Sequence, residues 1–397
     1  FYLNHWRKAS ELLGLWLDYD SAYETRKNEY IEFVWWALKQ AYDRGLLIED
    51  LKVIAFCPRC ETPLSDQEVA LGYMSVEDPS VYVKMPLIDQ RGTYVVIWTT
   101  TPWTLPANEA VCLHPSEYYV EVEVHGEKWI LAEKLLERVM NEVKVDNYKV
   151  IRRLLGSELE GMRYLHPLLE EVPEHKNHEK AHVIVCDDKV SVEEGTGCVH
   201  IAPAHGPEDF DIGRRYSLPV FCPVDANGVY TEKAGKYKGI YIKEANKLII
   251  DDLRNKGLLV YEGVIIHEYP HCWRCNTPLL YRADRQWFLR IEPIKTTILE
   301  ENKKVRWVPS WAGEARFHNW IANARDWCIS RSRVWGSPLN IWTCSKCGKR
   351  VCIGSIDELK KMAMTPLEKV ELHKPWIDMV KLRCPWCGGE MLREPHV

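Results

Sequence analysis

Eight of the chain's fourteen cysteines fall in four Cys-x-x-Cys pairs: Cys57 with Cys60, Cys272 with Cys275, Cys344 with Cys347, and Cys384 with Cys387. Close thiol pairs in a chain with no secretory leader point to metal rather than to a disulfide framework. Cys347 and Cys387 are each followed at once by glycine. Glycine there lets the backbone turn tightly and aim amides at thiolate sulfurs. Two such knuckles supply four thiolates, a closed tetrahedral zinc site without an open catalytic position. The gap between these two pairs exceeds that of the simplest ribbon, so a helix is expected inside it, and Ser355 to Met362 fits. The other two pairs are far apart but share a context: Cys57-Pro-Arg-Cys-Glu-Thr-Pro-Leu against Cys272-Trp-Arg-Cys-Asn-Thr-Pro-Leu. Matching knuckles predict two halves of one ribbon, split by an inserted segment whose ends a shared metal would pin together. Two structural Zn2+ ions are therefore expected; the plainer alternative is buried thiols without metal.

Two further stretches carry groups suited to a reaction. The first is Trp98-Thr99-Thr100-Thr101-Pro102-Trp103-Thr104-Leu105-Pro106-Ala107-Asn108. A strand runs into three threonines and then a proline ends regular pairing, which leaves hydroxyls and backbone groups free for a small polar ligand. A threonine run can equally be plain β-propensity. The second stretch runs from Glu194 to Asp211 and contains Gly195-Thr196-Gly197-Cys198-Val199-His200 and His205-Gly206-Pro207-Glu208-Asp209. Strand alternation puts Val199 and Ile201 on one face, Cys198 and His200 on the other. Pro207 suits the first position of a helix, and Asp209 then falls in its first turn, where acids are favoured by the dipole. The bland reading makes Asp209 an exposed helix-start residue and His200 a satisfied core group.

The elements that must position these groups change along the chain. Asn28 to Leu46 carries apolar residues at helical spacing, and Leu51 to Phe56 is a short strand leading into Cys57. From about Val76 to His267 the texture is β-rich. Strands are expected at Tyr94 to Thr99, Tyr118 to Val124, Trp129 to Leu131, Ala181 to Cys186 and Gly197 to Ala202, with a hairpin turn at His125-Gly126. Short helices are expected at Glu133 to Asn141, Glu208 to Tyr216 and Lys243 to Lys256. The His- and Glu-rich stretch Glu170 to Lys180 reads as a solvated loop. After His267 helical stretches and cysteine pairs return, the pattern of a domain inserted into a host.

The 397 residues are 46% apolar, enough for two or three domains with real cores. A net charge of −5 excludes binding nucleic acid over the whole surface; any such partner must meet a local patch or a pocket. No apolar run of 18 residues and no leader pattern is present, so neither a membrane span nor secretion is expected. With its unpaired thiols the protein is expected in the cytoplasm. The chain begins at Phe1 without an initiator Met and stops at His396-Val397, as expected of an internal piece of a longer protein.

The two reactive stretches closely resemble the editing domain of the isoleucyl-tRNA synthetases, class I enzymes. Valyl and leucyl relatives carry an arginine after the second threonine; Thr101 followed by Pro-Trp-Thr-Leu-Pro-Ala-Asn points to the isoleucyl branch, archaeal or eukaryotic in type. The resemblance covers nearly the whole chain. Leu15-Trp-Leu-Asp-Tyr19, Asn28-Glu-Tyr-Ile-Glu32 and Val34-Trp-Trp36 resemble the segment before the insertion. Asp326-Trp327-Cys328-Ile329-Ser330-Arg331, with Trp335-Gly336, resembles the adenylate segment after it, with Ser332 where many members have glutamine.

The resemblance implies an α/β fold: a β-rich, barrel-like editing domain with short helices, inserted into part of a Rossmann-type core with two zinc-ribbon knuckles. The expected division is 1–75 for the core before the insertion, 76–268 for the editing domain, 269–340 for the returning core and 341–397 for the second ribbon. It also implies function. Asp209 would hold the ammonium of a mischarged amino acid, and His200 would line the side-chain pocket. Thr99, Thr100 and Thr101 would bind the terminal adenosine and ester carbonyl, with Trp98, Trp103 and Asn108 as substrate contacts. Asp326 and Trp327 would contact the adenylate. The partners would be tRNA(Ile) through its aminoacylated 3′ end, isoleucine and valine, with the protein a monomer. The whole enzyme would use ATP and Mg2+; editing itself would need neither metal nor covalent nucleophile. His-x-Gly-His and Lys-Met-Ser-Lys-Ser are absent, so this chain alone is expected not to make isoleucyl-tRNA. The rival readings are a non-catalytic zinc-ribbon module that binds nucleic acid, and a synthetase-like protein that edits in trans.

Overall fold

The structure is a computed structural model that describes residues 2–332 and 336–396. It divides into two compact units. One comprises the described residues of Phe1–Ile48, Phe288–Asp326 and Ser330–Val397; the other comprises Glu49–Trp287 with Trp327–Ile329.

The larger unit is built on a nine-stranded mixed sheet that curls around its own core. The strand Thr93–Thr99 is its pivot. On one side it pairs antiparallel with Tyr73–Pro86; on the other it pairs in parallel first with Glu127–Ala132 and then, at Trp98, with Val199–Ile201. Val83, Met85, Val95, Ile97, Val122 and Ile130 are fully buried, as the β-branched and apolar composition of these strands requires. The hairpin joining Tyr118–Val124 to Glu127–Ala132 turns at His125 and Gly126, both at positive φ. Pro207–Tyr216 and Ile242–Asn255 are helices, the latter burying Ile249, Ile250 and Leu253. Tyr73–Pro86 and Leu259–Pro270 form a long antiparallel ribbon that joins this core to Cys272.

One expectation fails here. The stretch Glu170 to Lys180 is not simply a solvated loop. Pro173–Asn177 makes a turn of 3-10 helix and His175 is 2% exposed, packed against Phe221 and three other histidines. Polar residue types misled, because a neutral imidazole with hydrogen-bond partners can be buried at little cost.

In the smaller unit the helix Asn28–Asp43 ends earlier than Leu46 and buries Ile31 and Trp35. Trp35 meets Trp342 edge to face at 5.9 Å and donates its indole N–H to the Pro338 carbonyl. Trp342 belongs to a four-stranded antiparallel sheet that carries the last two cysteine pairs. The helix Ile356–Met362 lies between those pairs, capped by the Ser355 hydroxyl, which accepts from the Glu358 amide. Among the described residues, parallel strand pairs occur only in the larger unit, and no helix is long and apolar enough to cross a membrane.

Candidate functional site

A cavity of about 270 Å³ opens in the larger unit. Its walls are Trp98, Thr99, Thr100, Thr101 and Thr104 from one stretch, and Glu194, Thr196, Gly197, Cys198, Val199, His200, Ala202, His205 and Asp209 from the other. The convergence follows from register. Val199 pairs in parallel with Trp98 and antiparallel with Cys112, so the end of the threonine strand lies beside Cys198, Val199 and His200. All three line the cavity, so the two-face alternation expected for this strand does not separate them. The strand is only three residues long. Gly195, at φ +62°, rests on the indole of Trp98; a Cβ there would lie 2.3 Å from the ring. Only glycine permits that approach.

His200 is nearly buried and its ring is fixed at both nitrogens. The Asn108 amide donates to Nδ1 at 2.8 Å, which leaves the proton on Nε2, 2.8 Å from the Thr104 hydroxyl oxygen. Thr104 in turn donates to the Thr101 carbonyl at 2.8 Å. Burial holds the His200 pKa down at about 3, with His205 lowering it further. This imidazole is therefore neutral at physiological pH. It is a rigid wall carrying a committed N–H, not a proton acceptor. Thr104→Val removes a hydroxyl that contacts the Thr101 carbonyl, the Thr101 hydroxyl and His200, and leaves buried groups unpaired. We expect a loss of about 1–3 kcal/mol, read as a lower urea midpoint at constant slope. An unchanged midpoint would mean that Thr104 does not hold His200.

Asp209 is not the exposed helix-start acid that its position suggested. It sits in the first turn of Pro207–Tyr216, but its carboxylate folds back and accepts the Ala202 amide at 2.8 Å. Gly206 allows this: a Cβ there would lie 2.7 Å from the Asp209 carboxyl carbon. Burial pushes the Asp209 pKa up to about 7; the Ala202 amide pulls it down and the charge of Glu208 pushes it up. A carboxyl so poised gains most from a cation that enters the cavity.

Thr99 and Thr101 are tied to each other, their hydroxyls 3.3 Å apart and the Thr101 amide donating to the Thr99 oxygen. Thr100 makes no side-chain hydrogen bond among the described residues and faces the cavity. His205 and Glu194 are lining groups that strand and helix patterns did not single out. Only their place within the same glycine-rich stretch hinted at them. Trp103 and Asn108 do not line the cavity. Trp103 is 3% exposed and packs edge-on to His205, while Asn108 is fully buried, donating to Ala110 and His200 and accepting from Tyr164. Both act on the cavity only from behind. Asp326 and Trp327 line no part of it: Asp326 accepts the amides of Ile291 and Glu292, and Trp327 is half exposed. Trp335 lies outside the described residues.

Each group of four cysteines converges. The sulfurs of Cys57, Cys60, Cys272 and Cys275 lie within 4.8 Å of one another, as do those of Cys344, Cys347, Cys384 and Cys387. Separations of 3.5 Å (Cys57 to Cys275, Cys344 to Cys387) and 3.7 Å (Cys60 to Cys275, Cys347 to Cys384) suit a tetrahedral ion with Zn–S bonds of ~2.3 Å. Gly348 and Gly388, at positive φ, make the turns. The residues therefore fit zinc at both places.

The family model for class I tRNA synthetases (I, L, M and V) matches residues 1–386. The isoleucine–tRNA ligase of Methanocaldococcus jannaschii is 51% identical over 98% of this chain and 38% of its own length. That of Methanothermobacter marburgensis is 52% identical over 97% of this chain and 36% of its own. The chain thus spans less than two-fifths of these relatives. Among solved structures, the P. knowlesi cytosolic leucyl-tRNA synthetase editing domain is similar over 50% of this chain and 98% of its own, with a TM-score of 0.35 and 13% identity. A family match running through residue 386, with identity near one-half to its isoleucine members, places the chain: it belongs to the class I tRNA synthetases.

Proposed function

We propose that this chain is the proofreading part of an isoleucyl-tRNA synthetase, and that its cavity hydrolyses the ester of valine attached in error to tRNA(Ile). The observation that carries this reading is the meeting of Thr99, Thr100, Thr101, His200 and Asp209 around one cavity. Isoleucine and valine differ by a methylene, and this pair is itself the worked case of a difference that binding alone discriminates too weakly. A second site must admit the smaller side chain and cleave its ester.

In this reading Asp209 pairs with the substrate's ammonium as a charge-assisted acceptor. His200, neutral and clamped by Asn108 and Thr104, is an unyielding wall that excludes the longer side chain. Thr100 and the freed backbone at the strand end hold the terminal adenosine and ester. The ester is already reactive, so positioning a water beside the ribose hydroxyl suffices. Residues 76–268 form the proofreading domain, 1–75 and 269–340 the interrupted core, and 341–397 the second ribbon, with structural zinc at the two cysteine groups. In the whole enzyme ATP with Mg2+ activates the amino-acid carboxyl. The present residues do not complete that site: Lys361 and Met362 end the ribbon helix rather than forming a phosphate-binding loop. The protein is read as a cytoplasmic monomer partnered by tRNA(Ile).

The test is deacylation of Val-tRNA(Ile) beside Ile-tRNA(Ile). Valine should be released faster; equal rates for the two would refute the reading. The pH profile adds a second check. The ionised Asp209 is the binding form, so kcat/KM for Val-tRNA(Ile) should fall as pH drops through about 7. Asp209→Asn should flatten that step, leaving only the slope of spontaneous ester hydrolysis.

A further inference from the structure

Behind the candidate cavity lies a second cluster of side chains that could hold a metal ion, separate from the cysteines. We propose that Glu109, His175 and His178 bind a third metal ion, a zinc held by nitrogen and oxygen, which braces the turn that carries Thr101 and Thr104. The proposal stands independently of proofreading.

The geometry carries it. His175 donates Nε2–H to the Pro106 carbonyl at 2.8 Å, which turns the Nδ1 lone pair toward the cluster. His182 Nε2–H hydrogen-bonds that Nδ1 at 3.2 Å, a contact the ion would displace. Glu109 Oε1 is 3.9 Å from the same nitrogen and 2.9 Å from His178 Nδ1. With bonds of about 2.0–2.2 Å, a tetrahedral ion separates its ligands by roughly 3.3 Å, the middle of this range. Glu109 is fully buried; its Oε2 takes the hydrogen bond from His178 Nδ1 at 3.2 Å, while its Oε1 accepts none. A buried acceptor in contact yet unsatisfied calls for an explanation, and a shared cation supplies one.

Other features suit a metal site. His182 is held at φ +57°, a left-handed conformation rare for residues with a side chain, by its amide bonding to the Glu109 carbonyl at 2.6 Å. His175 has the carbonyl partner on its far nitrogen that ligating histidines usually have. His178 is partly exposed and gives an entry path. His166, stacked on His175 at 3.8 Å, is a wall rather than a ligand. Its Nε2 meets the Leu105 carbonyl and its Nδ1 accepts the Leu168 amide. The ion would tie segment 175–178 to Glu109, just after the Pro102–Ala107 turn, whose other side forms the cavity.

The test counts zinc in the full reduced chain after saturation with zinc and desalting. Three equivalents are expected. A thiol-directed mercurial should release two and leave the third. His178→Ala and Glu109→Gln, checked for folding by thermal melting, should each hold two. With cobalt, the third equivalent should show the visible d–d bands of a tetrahedral site without thiolate charge transfer. A folded wild-type chain saturating at two zinc ions would overturn the proposal, as would a third ion with thiolate charge transfer or one retained by both folded variants.

Discussion

Asp209→Ala is expected to lose at least ~100-fold in deacylation of Val-tRNA(Ile), about 2.7 kcal/mol of transition-state stabilisation. The substrate's ammonium enters a cavity narrow enough to sieve one methylene and sheds much of its water. Removing the partner of a charge in such a place typically costs ~3–5 kcal/mol, and the ester then sits less well before the attacking water. The fold should survive the change, since an acid in a helix first turn contributes only ~0.3–1 kcal/mol through the dipole. Asp209 also accepts the Ala202 amide at 2.8 Å, so alanine leaves that N–H unpaired and some stability should go with it. Asp209→Asn separates the roles, because it keeps an acceptor for Ala202 and removes the charge. Deacylation should fall in both variants, while the melting temperature should fall further for alanine. An asparagine variant that edits at the wild-type rate would reduce Asp209 to a structural residue.

The second large effect is expected at the first cysteine group. Cys272→Ser should lose one zinc equivalent and lower the melting temperature by roughly 10–20 °C. Cys57 and Cys275 are 218 positions apart in sequence and 3.5 Å apart in space. A cross-link over so long a loop restricts the unfolded chain by about 5 kcal/mol on the loop-entropy model. For a domain of 150–250 residues, each kcal/mol shifts the midpoint by ~2–4 °C. The larger unit keeps its own core, so the variant should fold but melt early. Zinc loss with a melting shift of a degree or two would show that the ion does not pin the two ends of the insertion.

What could be read without coordinates was local chemistry. The four cysteine pairs announced themselves because a metal knuckle is made by residues three apart, and the shared context of Cys57 and Cys272 revealed a pairing that distance in sequence hides. The helix at Asn28 and the hairpin at His125-Gly126 were legible for the same reason: periodicity and turn chemistry act over a few residues.

What the tertiary structure alone decided was which side of each group faces the cavity. The parallel pairing of Val199 with Trp98 joins stretches a hundred residues apart, and no local pattern sets that register. It also made Asn108 a clamp on His200 rather than a wall of the cavity, and folded the Asp209 carboxylate back onto Ala202. The His-rich stretch around His175 was misjudged because residue type records polarity, not the hydrogen-bond partners that make burial affordable. Those partners, the Pro106 carbonyl and His182, arrive only when distant segments pack.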